Sequence, residues 1–398
     1  MSSVQPALSR RKRIVFSLIL LAFVWLILDT GAYLALRVVS TRLGIFYGLK
    51  PPTDAELAAF TKAGFDPVLG WDLRPSVAHG PLGEKQGHPY TPQARYKVKA
   101  FGDSFTEGVR EPSNSFEYAV EEQTGWTCLN FGVSGYGPDQ ALLKYQRSTV
   151  PSEYTLLGIL DENIGRSVNS LRGFYTLEES FRAKPRFVQQ PDGRIVLVPN
   201  PIHSAADLVK LKDPAFVEGL RRYDYWTQYY ESLNAPRELR WPATLTILPH
   251  LNFFVRQGSQ LLRSTVRPTY ESALWRSRYY HLYEPGSTGI AVLDHIVDEF
   301  ITTAHDRGET PVVLVFAARE TMDIMRQFGR KPYQTLVDHF KERQVAFIDY
   351  GDLFVNEPDL PQWYVPNDGH FNAIGNRHVA EAIVRTIRML DAGKTPRS

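Results

Sequence analysis

The sequence contains a single cysteine, Cys128, among 398 residues. One cysteine excludes an internal disulfide, and the sequence has no Cys/His spacing typical of a zinc site. The 45 basic and 43 acidic residues nearly cancel to a formal charge of +2, which argues against the clustered positive charge of a nucleic-acid-binding protein. Internal repeats and long low-complexity segments are also absent. Cys128 is therefore predicted to be a small apolar core residue of an ordinary folded protein.

Long apolar runs are missing except near the N-terminus. There, basic residues at 10–13 precede an apolar stretch over 14–36 that is interrupted by Asp29. A helix over 14–36 would be about 34 Å long, which exceeds the roughly 30 Å hydrocarbon core of a bilayer. The basic flank would stay in the cytoplasm. We predict an uncleaved transmembrane anchor; the alternative is a cleaved signal peptide, for which 30–32 (Thr-Gly-Ala) offers only a weak site.

The main part of the chain alternates between predicted strands and helices. YKVKAF, TCLNFGV and YTLLGIL are predicted strands, and SFEYAVEEQTG and DQALLKYQR are predicted helices between them. This βαβαβ order is typical of a parallel sheet with helices on its faces. Later, PVVLVF and VAFIDY predict two further buried strands, and an apolar stripe over 379–390 predicts a final helix.

The region between these two parts has a different pattern. RFVQQPDGRIVLVP predicts a hairpin, and FVEGLRRYDYWTQYYESL predicts one aromatic-rich helix. We therefore predict an α/β domain with an inserted subdomain. The expected segments are a cytoplasmic basic tail (1–13), a transmembrane anchor (14–36), a stem and N-terminal extension (37–94), the first part of the core (95–169), the insertion (170–285) and the second part of the core (286–393).

Four polar or glycine positions follow predicted strands or precede the last helix. They are Ser104 in VKAFGDSFTEG, Gly135, Asn163 and His370. Ligands of open parallel sheets bind at the carboxyl ends of the strands, so these residues should converge. A serine hydroxyl needs a base to become a nucleophile, His370 is the natural base, and Asp368 could orient it. Each motif alone is more typical of a turn, a helix cap or a loop; the ordered set favours an enzyme.

Acyl transfer also requires hydrogen-bond donors aimed at the developing oxyanion. The candidates are the backbone amides of Ser104 and Gly135 and the side-chain amide of Asn163. Asp103, beside the proposed nucleophile, is expected to hold the turn by bonding backbone. This chemistry needs no metal and no organic cofactor.

The motif set resembles the four blocks of the SGNH (GDSL-like) hydrolase superfamily. The matching stretches are FGDSFTEG, NFGVSGYGPDQ, DENI and DGHFNAIGNRH. The resemblance implies a flavodoxin-like three-layer α/β fold with a parallel sheet, Ser104 as nucleophile, His370 as base and Asp368 as its partner. It also implies an oxyanion hole formed by Ser104, Gly135 and Asn163. Three departures stand out: Phe105 replaces a leucine, Asn163 lies in an unusual block, and the acid precedes the histidine by two residues instead of three.

More loosely, the chain resembles membrane-anchored bacterial members linked to envelope or exopolysaccharide acyl modification, in which an LGW element precedes the domain. This resemblance implies a serine-dependent ester hydrolase or O-acyltransferase of the bacterial inner membrane, with its catalytic domain in the periplasm. The expected substrate is an acyl, foremost acetyl, group on a carbohydrate. Expected partners are the lipid bilayer and a membrane acyl-transfer or polysaccharide-export protein. The alternative is a non-catalytic polysaccharide-binding or scaffold subunit of an envelope assembly.

Two further residue sets allow more than one interpretation. The first, Arg166, Asn169 and Arg172, has helical spacing and fits either contact with an anionic substrate or a solvated helix face. The second is a set of aromatic residues that fits either sugar stacking or ordinary core packing, with packing favoured. Its members are Tyr223, Tyr225, Trp226, Tyr229, Tyr230, Tyr279, Tyr280 and Tyr283.

Overall fold

The computed structural model describes residues 9–43, 51–73, 80–85, 93–108, 111–175 and 181–393. The chain divides into two compact units, one formed by 1–49 with 228–268 and the other by 50–227 with 269–398. Most of the predicted basic tail and parts of the predicted stem lie outside the described residues. The segment boundaries given above remain predictions.

The helices and strands alternate in the core as the sequence pattern predicts. The helices are α1 (Arg10–Leu43), α2 (Asp54–Lys62), α3 (Ser104–Glu107), α4 (Phe116–Thr124), α5 (Pro138–Arg147), α6 (Asn163–Ser167), α7 (Pro214–Arg221), α8 (Tyr225–Ser232), α9 (Thr244–Ile247), α10 (Leu251–Val266), α11 (Tyr270–Arg276), α12 (Thr288–Asp306), α13 (Arg319–Phe328), α14 (Gln334–Glu342), α15 (Tyr350–Phe354) and α16 (Ala373–Asp391). The strands are β1 (Phe65–Asp66), β2 (Gly70–Trp71), β3 (Tyr96–Phe101), β4 (Cys128–Asn130), β5 (Ser152–Leu160), β6 (Arg186–Gln189), β7 (Ile195–Val198), β8 (Thr310–Phe316) and β9 (Phe347–Asp349).

A five-stranded parallel sheet forms the centre of the second unit. Its strand order is β4-β3-β5-β8-β9, which is the 2-1-3-4-5 order of flavodoxin-like sheets. Val98 lies opposite Cys128 on one side and Tyr154 on the other. The chain is therefore a mixed α/β protein with a central parallel sheet, and this prediction is confirmed.

Helices cover the sheet in two layers. The connection through α4 runs from β3 outward to β4, whereas the connections through α5, α12 and α14 run in the other direction. Because such crossovers are right-handed, the two directions place their helices on opposite faces. Accordingly, α4 packs with α16, and α12 packs with α5 and α14. Val98, Leu156 and Val313 are fully buried between these layers, as expected for a strand covered on both faces.

The predicted β6–β7 hairpin is confirmed, but the predicted single aromatic helix is wrong. The structure ends α7 at Arg221 and begins α8 at Tyr225. The Asp224 carboxylate accepts hydrogen bonds from the backbone amide of Trp226, at 3.0 Å, and of Ser170, at 2.8 Å. Local capping by this buried acid competes with a continuous helix, and it sets the break between the two.

The first unit contains a helix, α1, that is long and apolar enough to cross a membrane. Its large apolar side chains are exposed from Ile14 to Leu28. Asp29 is different, because it is buried and its carboxylate accepts hydrogen bonds from the backbone amides of Ala243, at 2.6 Å, and Thr244, at 2.8 Å. The Asp29 side chain is therefore compensated by protein donors within the apolar helix.

Candidate active site

Ser104 lies at the carboxyl end of the first strand of the sheet. Strand β3 ends at Phe101 and α3 begins at Ser104. Asp103 caps this short helix, because its Oδ1 accepts the amide proton of Phe105 at 2.9 Å. The cap holds the turn as expected, and it fixes the backbone on which the Ser104 hydroxyl is carried.

His370 lies in a tight loop before α16. The loop is closed by a hydrogen bond from the Val365 amide to the His370 carbonyl, at 2.9 Å, and one from the Asp368 amide to the Val365 carbonyl, at 3.0 Å. Asn367 takes a positive φ of 59° at the turn, a conformation that asparagine tolerates better than most residues. The turn brings the Asp368 carboxylate back toward the imidazole only two positions later.

The structure brings Ser104, His370 and Asp368 into one hydrogen-bonded array. His370 Nε2 lies 2.7 Å from Ser104 Oγ, and His370 Nδ1 is hydrogen-bonded to Asp368 Oδ1. The same carboxylate oxygen accepts the His370 amide proton at 3.1 Å. Because Asp368 is an acceptor when ionised, Nδ1 carries the proton and Nε2 is free to accept one from Ser104. The array is arranged for proton transfer from the serine hydroxyl.

The loop after β4 brings Gly135 to the same edge of the sheet. Gly135 has a φ of +81°, which favours glycine. At the start of the loop, a Cβ on Gly132 would lie 2.2 Å from the Glu107 nitrogen. The Glu107 carboxylate in turn accepts the Ser134 amide proton at 2.6 Å. The serine-bearing and glycine-bearing loops are thus fastened together by direct bonds.

The LGW element supports this glycine loop from its other side. The Trp71 indole donates to the Ser134 carbonyl at 3.1 Å, and the Tyr136 hydroxyl donates to the Trp71 carbonyl at 2.6 Å. The Gln140 side chain also donates to the Leu69 carbonyl at 2.7 Å. Residues on both sides of Gly135 are therefore bound to the LGW element.

Asn163 lies directly after β5, but its side chain is engaged with Asp103. Asn163 Nδ2 donates to Asp103 Oδ2 at 3.0 Å, and Arg166 Nη1 lies 3.1 Å from the same oxygen. Burial raises the pKa of Asp103, and the charge of Arg166 opposes that rise. Since an amide has two N–H groups, one remains for another acceptor. Sequence analysis placed Arg166 near the pocket but did not identify this buried ion pair.

Two backbone donors complete the edge of the sheet. Within the described residues, neither the Ser104 amide nor the Gly135 amide has a protein acceptor. Ser104 itself is only 8% exposed. Backbone donors of this kind could bind an oxyanion.

Phe105, at the position where the family motif has leucine, contacts the imidazole. Its ring centroid lies 5.2 Å from that of His370, and it also packs against Phe316 and Phe371, each at 5.5 Å. A branched aliphatic side chain at this position would cover less of the imidazole. Phe105 is a positioning residue for His370.

We expect Phe105→Leu to lower kcat by about tenfold with little change in KM, because the imidazole would be held less firmly in line with Ser104. Steady-state ester hydrolysis by the two proteins measures this effect. Phe354→Leu is the matched control, since Phe354 is buried and its ring contacts Phe371. An equal loss in both variants would contradict a specific role for Phe105.

Asp161, at the end of β5, is a buried acid behind the array. Its carboxylate accepts hydrogen bonds from Thr321 Oγ1 and from the Ala318 amide, the latter at 2.9 Å. Burial raises the pKa of Asp161 to about 7, although these hydrogen bonds oppose the rise. The folded protein therefore retains a proton on Asp161 at a pH where the unfolded chain has lost it.

This difference predicts that Asp161 makes stability fall as pH rises from about 4 to about 7, with no further loss above that range. Asp161→Asn keeps an acceptor for the Ala318 amide and should remove this dependence. Thermal unfolding of both proteins between about pH 5 and pH 8 tests the expectation. Parallel curves for wild type and variant would contradict it.

The two ambiguous residue sets are largely buried. Asn169 Nδ2 donates to Asp224 at 2.9 Å, and Arg172 is 7% exposed, so this set is not a solvated helix face. Among the aromatics, Trp226, Tyr279, Tyr280 and Tyr283 are buried. The Trp226 indole donates to the Gly165 carbonyl at 2.8 Å, and the Tyr283 hydroxyl donates to the Asp161 carbonyl at 2.6 Å. These four residues pack in the core, as favoured from the sequence.

Fold and site together define an α/β protein with a Ser-His-Asp array at the carboxyl edge of a parallel sheet. No family model matches the chain, and no curated protein matches it. Among solved structures, the chain is similar to one from Desulfitobacterium hafniense DCB-2 that is assigned to the G-D-S-L family of lipolytic proteins. The identity is 9% and the TM-score 0.35, over 73% of this chain and 99% of the other.

Proposed function

We propose that the protein is an SGNH-type serine ester hydrolase or O-acyltransferase that acts on acyl groups, foremost acetyl, of an extracytoplasmic carbohydrate. The observation that carries the proposal is the 2.7 Å contact between Ser104 Oγ and His370 Nε2, with Asp368 on the other imidazole nitrogen. In this role Ser104 is the nucleophile, His370 the general base and Asp368 its orienting acid.

In the first half-reaction, His370 Nε2 takes the Ser104 proton as Oγ attacks the ester carbonyl carbon. Asp368 stabilises the imidazolium, and the amides of Ser104 and Gly135 donate to the oxyanion with one N–H of Asn163. His370 then gives its proton to the leaving alkoxide, and an acyl-serine remains. The engagement of Asn163 with Asp103 orients the amide for this task.

In the second half-reaction, an incoming hydroxyl loses its proton to His370 and attacks the acyl-serine carbonyl. Water as the incoming group gives hydrolysis, whereas a sugar hydroxyl gives acyl transfer. The two reactions use the same catalytic residues and differ in access of water and acceptor. Ser104 then recovers its proton from His370.

The proposed location is the bacterial inner membrane, with α1 as a single-pass anchor and the site on the periplasmic side. The basic flank at 10–13 supports this orientation. The hydrogen bonds of Asp29 to Ala243 and Thr244 support an uncleaved α1, since cleavage would remove a partner of the fold. Envelope acyl-transfer or polysaccharide-export proteins are the proposed partners.

The test uses the full chain in detergent with p-nitrophenyl acetate as donor. We expect release of p-nitrophenol and an acetyl group on the peptide that contains Ser104, detected by mass spectrometry, and Ser104→Ala should lose both. Adding an oligosaccharide distinguishes acetylated sugar from free acetate. A folded wild-type protein that gives neither signal with any ester donor would favour the non-catalytic binding subunit.

A further inference from the structure

Exposed large apolar side chains are concentrated in one stretch of the first unit. Outside α1, seven of the twelve exposed large apolar residues in the described chain lie within 241–266. The other five are scattered singly, as is usual on soluble surfaces. The seven are Trp241, Leu245, Leu248, Leu251, Val255, Leu262 and Val266. Such a concentration indicates a binding surface.

Helix α10 carries four of these residues on one face. At 100° per residue, Leu251, Val255, Leu262 and Val266 fall within an arc of about 60°, here called the outer stripe. The opposite face contains the buried residues Phe253, Gln257 and Ser264. Since α10 already buries that inward face, the outer stripe requires a different apolar partner.

The charge of this stretch matches an anionic surface. Residues 239–270 contain no aspartate or glutamate, but they contain Arg240, Arg256, Arg263 and Arg267. Arg256 and Arg263 lie roughly 100° around α10 from the centre of the outer stripe. Arginine at this angle can extend its charge to phosphate while its stem lies along apolar surface. An apolar stripe with a basic edge is typical of a helix that lies in a membrane interface.

The same stretch is fastened to the distal part of α1. Asp29 accepts hydrogen bonds from Ala243 and Thr244, and Leu36 packs against the cluster of Ala235 and Phe253. Along the helix axis, Asp29 lies about 22 Å and Leu36 about 33 Å from Ile14. In a hydrocarbon core of roughly 30 Å, these depths correspond to the far leaflet and its boundary.

We infer that residues 241–266 form an interfacial segment that inserts its apolar side chains into the outer leaflet of the bilayer that α1 spans. Trp241, Leu245, Leu248 and the outer stripe enter the boundary of the acyl chains, and the arginines contact lipid phosphates. The inference rests on the proposed membrane anchor. The ligand is the lipid surface itself, which needs no specific headgroup beyond negative charge.

The test places a nitroxide at Leu262→Cys in the full chain, reconstituted in vesicles of phosphatidylethanolamine and phosphatidylglycerol. Native Cys128 is buried, so the label should react at the introduced thiol. Leu21→Cys on α1 and Leu353→Cys on α15 are matched controls, since all three leucines are exposed. Power-saturation spectroscopy compares collisions with oxygen, which dissolves in lipid, and with a water-soluble nickel chelate.

We expect the label at Leu262 to behave like that at Leu21, with collisions several-fold more frequent with oxygen than with the chelate. A label at Leu262 that behaves like that at Leu353, while Leu21 reports lipid, would overturn the interfacial segment and leave the anchor intact. Exclusion of both reagents from Leu262 would also overturn it, because a protein partner would then cover the stripe. An aqueous signal at Leu21 would instead refute the anchor itself.

Discussion

Replacing His370 by alanine is expected to lower kcat for ester hydrolysis by about 10²- to 10⁴-fold. His370 Nε2 lies 2.7 Å from Ser104 Oγ, and without a base at that point the hydroxyl is a poor nucleophile. The measurement is p-nitrophenyl acetate turnover at saturating substrate. Added imidazole should restore part of the activity, which a purely structural role would not allow.

His378→Ala is the matched control for this variant. His378 lies on α16, stacks on Trp363 and is hydrogen-bonded to Glu381, and its removal should leave kcat within about twofold, as expected for a residue outside the proton path. If His370→Ala kept half of the wild-type rate, the proposed proton transfer would be wrong.

Replacing Lys184 by alanine is expected to reduce the free energy of unfolding by about 3–5 kcal/mol. Lys184 and Asp139 form an ion pair in which both side chains are fully buried. The ammonium also donates to the carbonyl of Asn169 at 3.1 Å and of Pro185 at 3.0 Å. Burial lowers the pKa of Lys184 and raises that of Asp139, and each charge opposes the shift of the other. Removing the cation leaves the Asp139 carboxylate buried without its counter-charge.

Thermal and urea unfolding of the full chain in detergent measure this loss. Lys212→Ala is the control, because Lys212 pairs with Asp54 at the surface at 2.5 Å and should cost less than about 1 kcal/mol. The double variant Lys184→Met with Asp139→Leu should recover much of the stability, since it leaves no unpaired charge. Equal effects of the two single lysine variants would contradict the prediction.

The parts of the fold that are local in sequence could be predicted. Strand β3 matches YKVKAF residue for residue, because a short apolar run beside a glycine turn has few alternatives. The break at Asp224 could not be predicted, because its cause includes Ser170 and Asn169, more than fifty positions away. A sequence pattern shows which residues are able to cap a helix but not which distant donors will reach them.

The candidate site shows the same division. The order of Ser104, Gly135, Asn163 and His370 along the chain placed them at one sheet edge, since the topology requires it. The pairing of Arg166 with Asp103 and the contact of Phe105 with His370 depend on side-chain directions. A basic residue one turn after Asn163 was the only signal of the first, and the sequence gave no signal of the second, since phenylalanine and leucine are equally apolar.

The bonds of Asp29 also set an order of events during synthesis. The partners of this carboxylate, Ala243 and Thr244, are 214 and 215 positions later in the chain. At about 5–20 residues per second, the ribosome reaches them roughly 10 to 40 s after Asp29. During that interval α1 has no protein donor for its acid, so the insertion machinery receives a less apolar helix than the finished protein contains. Assembly of the first unit therefore waits for more than half of the chain to be made.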